Sequence, residues 1–347
     1  MLNNLYSITS AHKISEKSLL DYYKLIYPNR YNALKNNWKW QFRTDFFKNQ
    51  LPLVLINDKK EILAHLGTIP FKMYLNGKIF DAQWWMDFSV HPNYRRQGLG
   101  KLLTKKCMEF ADIQITCCNE KAIKIFKSYD WHQSYNSFYH IIWINPTNYK
   151  KFLINNIFIK NVVEKFSKFI FTKKYASKCF ALGDVSIKNM TEKDFSPFIN
   201  NTPPAGNHCY TKKGMSYFKW RFLDSADFDS YKLFKIKNID IQFIIKINNQ
   251  NQNNFISVLT QTYTNNHSEL IRALSTLAIW CYNERFDYID YYTNDNHLSS
   301  KLIKTLFSFR SYQNFAFHSY NKITFDSLKD AEFHFDYCDS DFEKYFE

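Results

Sequence analysis

Apolar residues recur at helical spacing over residues 16–34, where Leu19, Leu20, Tyr23 and Ile26 share one face. The period then changes. Residues 51–56 and 61–68 read as strands. Asn76-Gly77 separates two further strand-like runs, 71–75 and 78–84, and marks a two-residue hairpin turn. Residues 84–90 are a last strand, which Pro92 stops because proline cannot donate to a ladder. A helix is expected over 100–111, with Leu102, Leu103, Cys107 and Phe110 inward. A short strand (113–118), a second helix (119–129, with Ala122, Ile125, Phe126 and Tyr129 inward) and a strand closing the sheet (137–144) follow. The order is helix, antiparallel strands, helix, strand, helix, strand, which predicts a mixed α/β domain over residues 1–146.

Residues 147–180 differ in character, being basic and amphipathic. They read as a connector laying its apolar face on both halves. The other reading is peripheral contact with a membrane or an acidic partner through 149–175. From residue 181 the pattern restarts. Lys39-Trp40-Gln41-Phe42 returns 180 residues later as Lys219-Trp220-Arg221-Phe222. Strands at 231–236, 239–247 and 255–260, a helix at 268–283, a strand at 288–292 and a helix at 298–307 repeat the element order of the first half. The expected architecture is α/β (α+β): two tandem domains, 1–146 and 181–347, each a mixed, mostly antiparallel sheet flanked by helices.

Composition changes this picture little. The chain has 347 residues, enough for two cores. Its net charge of +14 favours anionic ligands, although 325–347 is acidic. Seven cysteines without a CxxC suggest neither a disulfide framework nor a zinc site, so no metal is expected. The N-terminus shows no signal-peptide pattern and no uncharged apolar run is long enough to span a bilayer. A cytoplasmic protein is expected.

Chemistry concentrates at residues 87–100, Asp-Phe-Ser-Val-His-Pro-Asn-Tyr-Arg-Arg-Gln-Gly-Leu-Gly. A strand enters a turn bearing Arg95, Arg96 and Gln97. Gly98 and Gly100 then open a helix. Glycines let backbone approach a ligand, the free N–H groups and dipole of a helix start bind phosphate, and two arginines match a pyrophosphate. Neither GxxxxGK[ST] nor GxGxxG is present, so this is no kinase-type or dinucleotide loop.

Val90-x-Pro92 followed by Arg95-x-x-Gly98-x-Gly100, with Asn119, Ala122 and Phe126 on the next helix, resembles the GNAT (GCN5-related N-acetyltransferase) superfamily over residues 51–144. The resemblance implies an acetyl-CoA co-substrate lying between two splayed strands. The main chain of Phe88, Ser89 and Val90 would pair with pantetheine. Arg95, Arg96, Gln97, Gly98, Leu99 and Gly100 would hold the pyrophosphate, with Asn119 beside the thioester or pantetheine. The second half resembles a degenerate copy, because residues 261–267 contain no glycine.

Direct transfer to an amine needs a base, for which Asp87 is the nearest carboxylate and His65 and His91 are weaker candidates. The family often protonates the departing thiolate with a tyrosine. Phe126 stands there, which leaves Tyr129 one turn on, or water. The leading expectation is acetyl transfer to the primary amine of a small molecule such as an amino sugar, with no nucleic-acid partner. The alternatives are an acetyltransferase of protein lysine or RNA, and a non-catalytic CoA-binding module.

Overall fold

The structure is a computed structural model, described here for residues 6–43, 51–144, 169, 173, 175, 179–180, 185–203, 206–237, 239–250, 253–306 and 308–339. The connector, and with it the membrane-contact reading, lies almost wholly outside the described residues. Among those residues no helix is long and apolar enough to cross a membrane.

The first half begins with β1 (Tyr6–Ser10), α1 (Glu16–Ile26) and α2 (Tyr31–Gln41). The single helix expected over 16–34 is therefore two, because Pro28 cannot continue α1 and opens a short 3-10 turn instead. β2 (Leu53–Asn57), β3 (Ile62–Leu75) and β4 (Lys78–Val90) follow. β3 and β4 form one long hairpin through Asn76-Gly77, both at positive φ. β3 runs unbroken through Pro70. Pro70 lies between the stretch paired with β2 and the stretch paired with a later strand, and its carbonyl accepts from Arg43 Nη1 at 2.5 Å, so its missing N–H faces a side chain rather than a ladder. Then come α3 (Leu99–Cys107), β5 (Ile113–Cys118), α4 (Glu120–Lys127), β6 (His132–Ser134) and β7 (Phe138–Trp143).

The second half comprises β8 (Val185–Lys188), α5 (Ser196–Asn200), β9 (His208–Thr211), α6 (Met215–Phe218), β10 (Tyr231–Ile236), β11 (Gln242–Gln250) and β12 (Asn253–Gln261). It continues with α7 (His267–Asn283), β13 (Tyr288–Thr293), α8 (Asn296–Thr305), β14 (Ser308–Tyr312), β15 (Asn314–His318), α9 (Lys322–Lys329) and β16 (Glu332–His334). Five of these elements, β10, β12, α7, β13 and α8, fall within about two residues of the sequence expectation.

Two sheets result, β1-β2-β3-β4-β5-β15-β6 with β9 and β16 attached through β3, and β14-β7-β13-β12-β11-β10-β8. Each half lends the other a strand. β7, expected to close the first sheet, lies between β13 and β14 of the second. β15 from the second half lies between β5 and β6 of the first. The repeated tetrapeptides meet each other. Trp40 and Trp220 stack with centroids 5.6 Å apart, and each indole N–H donates to the other's carbonyl, at 2.7 and 2.8 Å. Reciprocal contacts of this kind are what an isologous interface makes. One core accordingly runs through both halves, joining Trp38, Trp84, Trp220, Phe222 and Phe315.

Asp290, on β13 beside the borrowed β7, is buried, and burial raises its carboxyl to about 7 despite hydrogen bonds from Tyr139 and Ser257. A carboxyl raised in the folded state contributes stability below its unfolded pKa and loses it as pH rises through the folded one. Stability should therefore fall by about 2–4 kcal/mol between about pH 4 and 8 on this account. Asp290→Asn should flatten that slope in urea unfolding series. An unchanged slope would reassign the pH dependence to other groups.

Candidate acyl-CoA site

β4 and β5 pair in parallel from Ala82↔Ile113 to Trp85↔Thr116 and then part. Thr116 Oγ1 donates to the Trp85 carbonyl at 3.2 Å where they separate. Beyond it β5 keeps only β15, which pairs with its other edge along residues 114–118, and β4 stays paired only with β3, so the β5-facing edge of residues 86–90 borders a V-shaped opening. A bulge between His65 and Gly67 sharpens the divergence, and opposite it Asp87 adopts φ 50°.

The glycine loop sits at the open end. Gly98 (φ 78°, ψ 0°) is the N-cap of α3 and no side chain caps that helix. Its first N–H groups are thus left for a ligand. Arg96 also adopts positive φ, and Arg95 Nε donates to the Val90 carbonyl at 3.2 Å, pinning the loop to the end of β4. Arg95, Arg96, Gln97 and Gly98 are exposed, whereas Leu99 is buried in the core beneath. A Cβ on Gly100 would lie 3.1 Å from Phe88 Cζ and 3.4 Å from Val90 Cγ2, so glycine lets α3 start directly against the strand.

Asn119 is at the C-terminal end of β5, across the opening. Its Oδ1 caps α4 by accepting from Ala122 N at 2.9 Å. Phe126 and Trp85, with Phe88 and Trp131, form a packed aromatic cluster under the opening. Trp84 points to the opposite face, against Phe71 and Phe335. Tyr129 follows the far end of α4, about 12 Å along the axis from Asn119. It is half-buried, and burial raises its hydroxyl pKa.

The Asp87 carboxylate is buried. Oδ1 is ion-paired with Arg30, and Oδ2 has no hydrogen-bond partner among the described residues. The Asp87 carbonyl accepts from Tyr27 Oη at 2.6 Å and from His65 Nδ1 at 2.9 Å. Because a carbonyl only accepts, His65 carries its proton on Nδ1, and its Nε2 accepts from Tyr23 Oη at 2.9 Å. Burial lowers the His65 pKa, so the ring is a neutral, fully engaged strut. His91 is also occupied locally, its Nδ1 accepting from Asn93 N. Tyr22 Oη lies 3.1 Å from Ser89 Oγ, and burial pushes its hydroxyl up to about 12 despite that bond and the charge of Arg95. The tyrosines of α1 and Arg30 escaped sequence reasoning. Their spacing reads as core, and only the need of buried hydroxyls for partners hints at more.

Sequence spacing identified no metal site. Among the described residues one group of three potential donors comes together, His208, Glu332 and His334. It lies on strands attached to the other end of the β3–β4 hairpin.

Residues 26–131 match the family model of the acetyltransferase (GNAT) domain. No curated protein matches the chain in sequence. In structure it is similar to a GCN5-related N-acetyltransferase from Kribbella flavida, with TM-score 0.59 and 12% identity over 90% of this chain and 72% of that one. It is also similar to a conserved protein of unknown function, a probable N-acyltransferase, from Enterococcus faecalis V583 (TM-score 0.57, 8% identity, 90% and 72% covered). A third similarity is to Saccharomyces cerevisiae N-myristoyltransferase with bound myristoyl-CoA (TM-score 0.54, 13% identity, 91% and 83% covered). These identities speak for the fold, and the coverage extends that likeness to both sheets. With the glycine loop at an uncapped helix start and the strands parting beside it, the chain carries, at residues 26–131, an acyltransferase domain of the GNAT family.

Proposed function

We propose that the protein transfers a short acyl group, acetyl in the first instance, from acyl-CoA to the primary amine of a small molecule. The observation that carries this reading is the uncapped start of α3 at Gly98, placed at the mouth of the β4–β5 opening. The pyrophosphate would sit on the N–H groups of Gly98 to Gly100 with Arg95 and Arg96 beside it. Pantetheine would pair along the free edge of Phe88 to Val90, and Asn119 would border the thioester. The aromatic floor of Trp85, Phe126 and Trp131 favours a short acyl chain over a long one.

In the reaction the amine nitrogen attacks the thioester carbon. A C–N bond forms, the C–S bond breaks and the proton on nitrogen departs. The unpartnered Oδ2 of Asp87 supports this residue as the proton's destination, and Arg30 fixes the carboxylate. Tyr129 or water would supply a proton to the thiolate. An acyl-CoA co-substrate and seven free cysteines suit a cytoplasmic setting.

Release of free CoA thiol from acetyl-CoA, followed across a panel of small amines and with longer acyl-CoAs, tests the reading. Acetyl-CoA should turn over with at least one amine, and Asp87→Asn should lower kcat/KM by about 100-fold. Binding of acetyl-CoA without release for any amine would identify a non-catalytic CoA module instead.

A further inference from the structure

The second sheet has an opening of its own. β12 and β13 pair in parallel only from Phe255↔Tyr288 to Ser257↔Asp290, and then diverge as β4 and β5 do. The helix start beside this opening is closed to phosphate. Asn266 Oδ1 caps α7 by accepting from Glu269 N at 3.1 Å, and His267 Nε2 lies 2.7 Å from Asp295 Oδ2. Yet the space remains, a cavity of about 830 Å³ walled by Thr260, Gln261, Tyr291 and Asp295 on one side and by β9 and β16 on the other.

On that second wall β9 and β16 run parallel, Glu332 opposite His208 and His334 opposite Tyr210. Strand alternation puts His208, Glu332 and His334 on one face. His208 Nδ1 lies 2.9 Å from His334 Nε2 and 3.4 Å from Glu332 Oε2, and the three donor atoms all lie within 4.8 Å of one another. A cation binding both ring nitrogens would displace any proton shared between them. The Glu332 side chain is 72% exposed and free to swing toward the rings.

We propose that His208, His334 and Glu332 bind a divalent transition-metal cation of the zinc class, with an open coordination position facing the cavity. Two imidazoles and a carboxylate are a donor set that zinc takes in tetrahedral sites with one place left for water or ligand. Shifts of a few tenths of an ångström bring both nitrogens to the 2.0–2.1 Å that zinc requires. The site is separate from acyl transfer. Cys209, next to His208, pairs with Leu75 at the hairpin turn, and the cradle follows Val90 at the other end of β4, about 40 Å away along the strand.

The test is calorimetric titration of the chelator-treated full chain with Zn2+, paired with the absorption spectrum of the Co2+ form. One ion per chain at micromolar affinity or better, with a tetrahedral cobalt spectrum, is expected. His208→Ala, His334→Ala and Glu332→Gln should each weaken binding by more than the roughly 10–100-fold that even an outer-shell partner costs. Glu332 is exposed, so Glu332→Gln should keep the unfolding midpoint of the metal-free protein and separate loss of a ligand from loss of fold. His267→Ala, on the opposite wall, should bind as wild type does. Absence of stoichiometric binding would overturn the proposal. So would affinity that survives Glu332→Gln and His208→Ala, or that is lost in His267→Ala instead.

Discussion

Gly98→Trp should abolish acetyl-CoA binding while leaving the protein folded. A Cβ at Gly98 meets no heavy atom within 4 Å, so the indole has room in the protein but stands where the phosphates would lie. The backbone there has φ 78°, which costs an L residue about 1–2 kcal/mol. Two or three charge-assisted hydrogen bonds to the helix start, at about 1.5 kcal/mol each, amount to a loss of affinity on the order of 100-fold or more. Thermal unfolding reads both effects. For wild type at 100 times its dissociation constant, a ligand that binds only the folded state adds about 2.7 kcal/mol, or about 4 °C for a chain of this size. The variant should unfold a degree or two lower without ligand and show no rise with it. Gly98→Ala carries the backbone cost without the bulk, and should retain most of the ligand-induced rise. An undiminished rise in Gly98→Trp would place the cofactor elsewhere.

Phe315→Ala should destabilise the whole chain by about 3–5 kcal/mol, the usual cost of emptying a buried phenylalanine site. Phe315 is fully buried against Trp84, Phe333 and Phe335. It belongs to the second half in sequence, but it pairs with Cys117 on β5, the strand that forms one side of the acyl-CoA opening. The expected result is therefore a single unfolding transition lowered by about 5 °C, with weaker acetyl-CoA binding, from a substitution some 200 residues away from the glycine loop. Two resolved transitions, with the acetyl-CoA-sensitive one unmoved, would mean that the halves fold and bind independently.

What the sequence made readable was local. The Asn76-Gly77 hairpin, the strand from Trp84 to Val90 and the Gly98–Gly100 turn follow from steric rules acting within a few residues, and so do Leu103, Cys107 and Phe126 on the buried faces of α3 and α4, whereas Leu102 and Ile125, expected inward, are exposed because each lies at the edge of its apolar face. The repeat was readable from Lys39–Phe42 and Lys219–Phe222, but not what it does, since nothing in a tetrapeptide says that its two copies touch. The strand exchange was invisible for the same reason. β7 and β15 have the period of any half-buried strand, and only the geometry of the partner sheet decides which one each completes. At the candidate site, Arg95 to Gly100 could be placed on a strand-to-helix turn because the geometry of a helix start is local. Arg30, Tyr22 and Tyr27 reach Asp87 and Ser89 across 57 to 67 residues of chain, and His208 meets His334 across 126. No spacing rule covers such distances.

The lent strand also sets a timetable for synthesis. When β5 leaves the ribosome, the strand that will cover its outer edge is still roughly 200 residues from being made, or about 10–40 s at 5–20 residues per second. For that interval Ile115 and Cys117 border an unpaired edge, the kind of surface that other chains extend by adding strands of their own. A nascent first half is in this sense an open template. Its safe passage depends on being shielded, or on staying loosely folded, until residues 314–318 arrive to fill the gap.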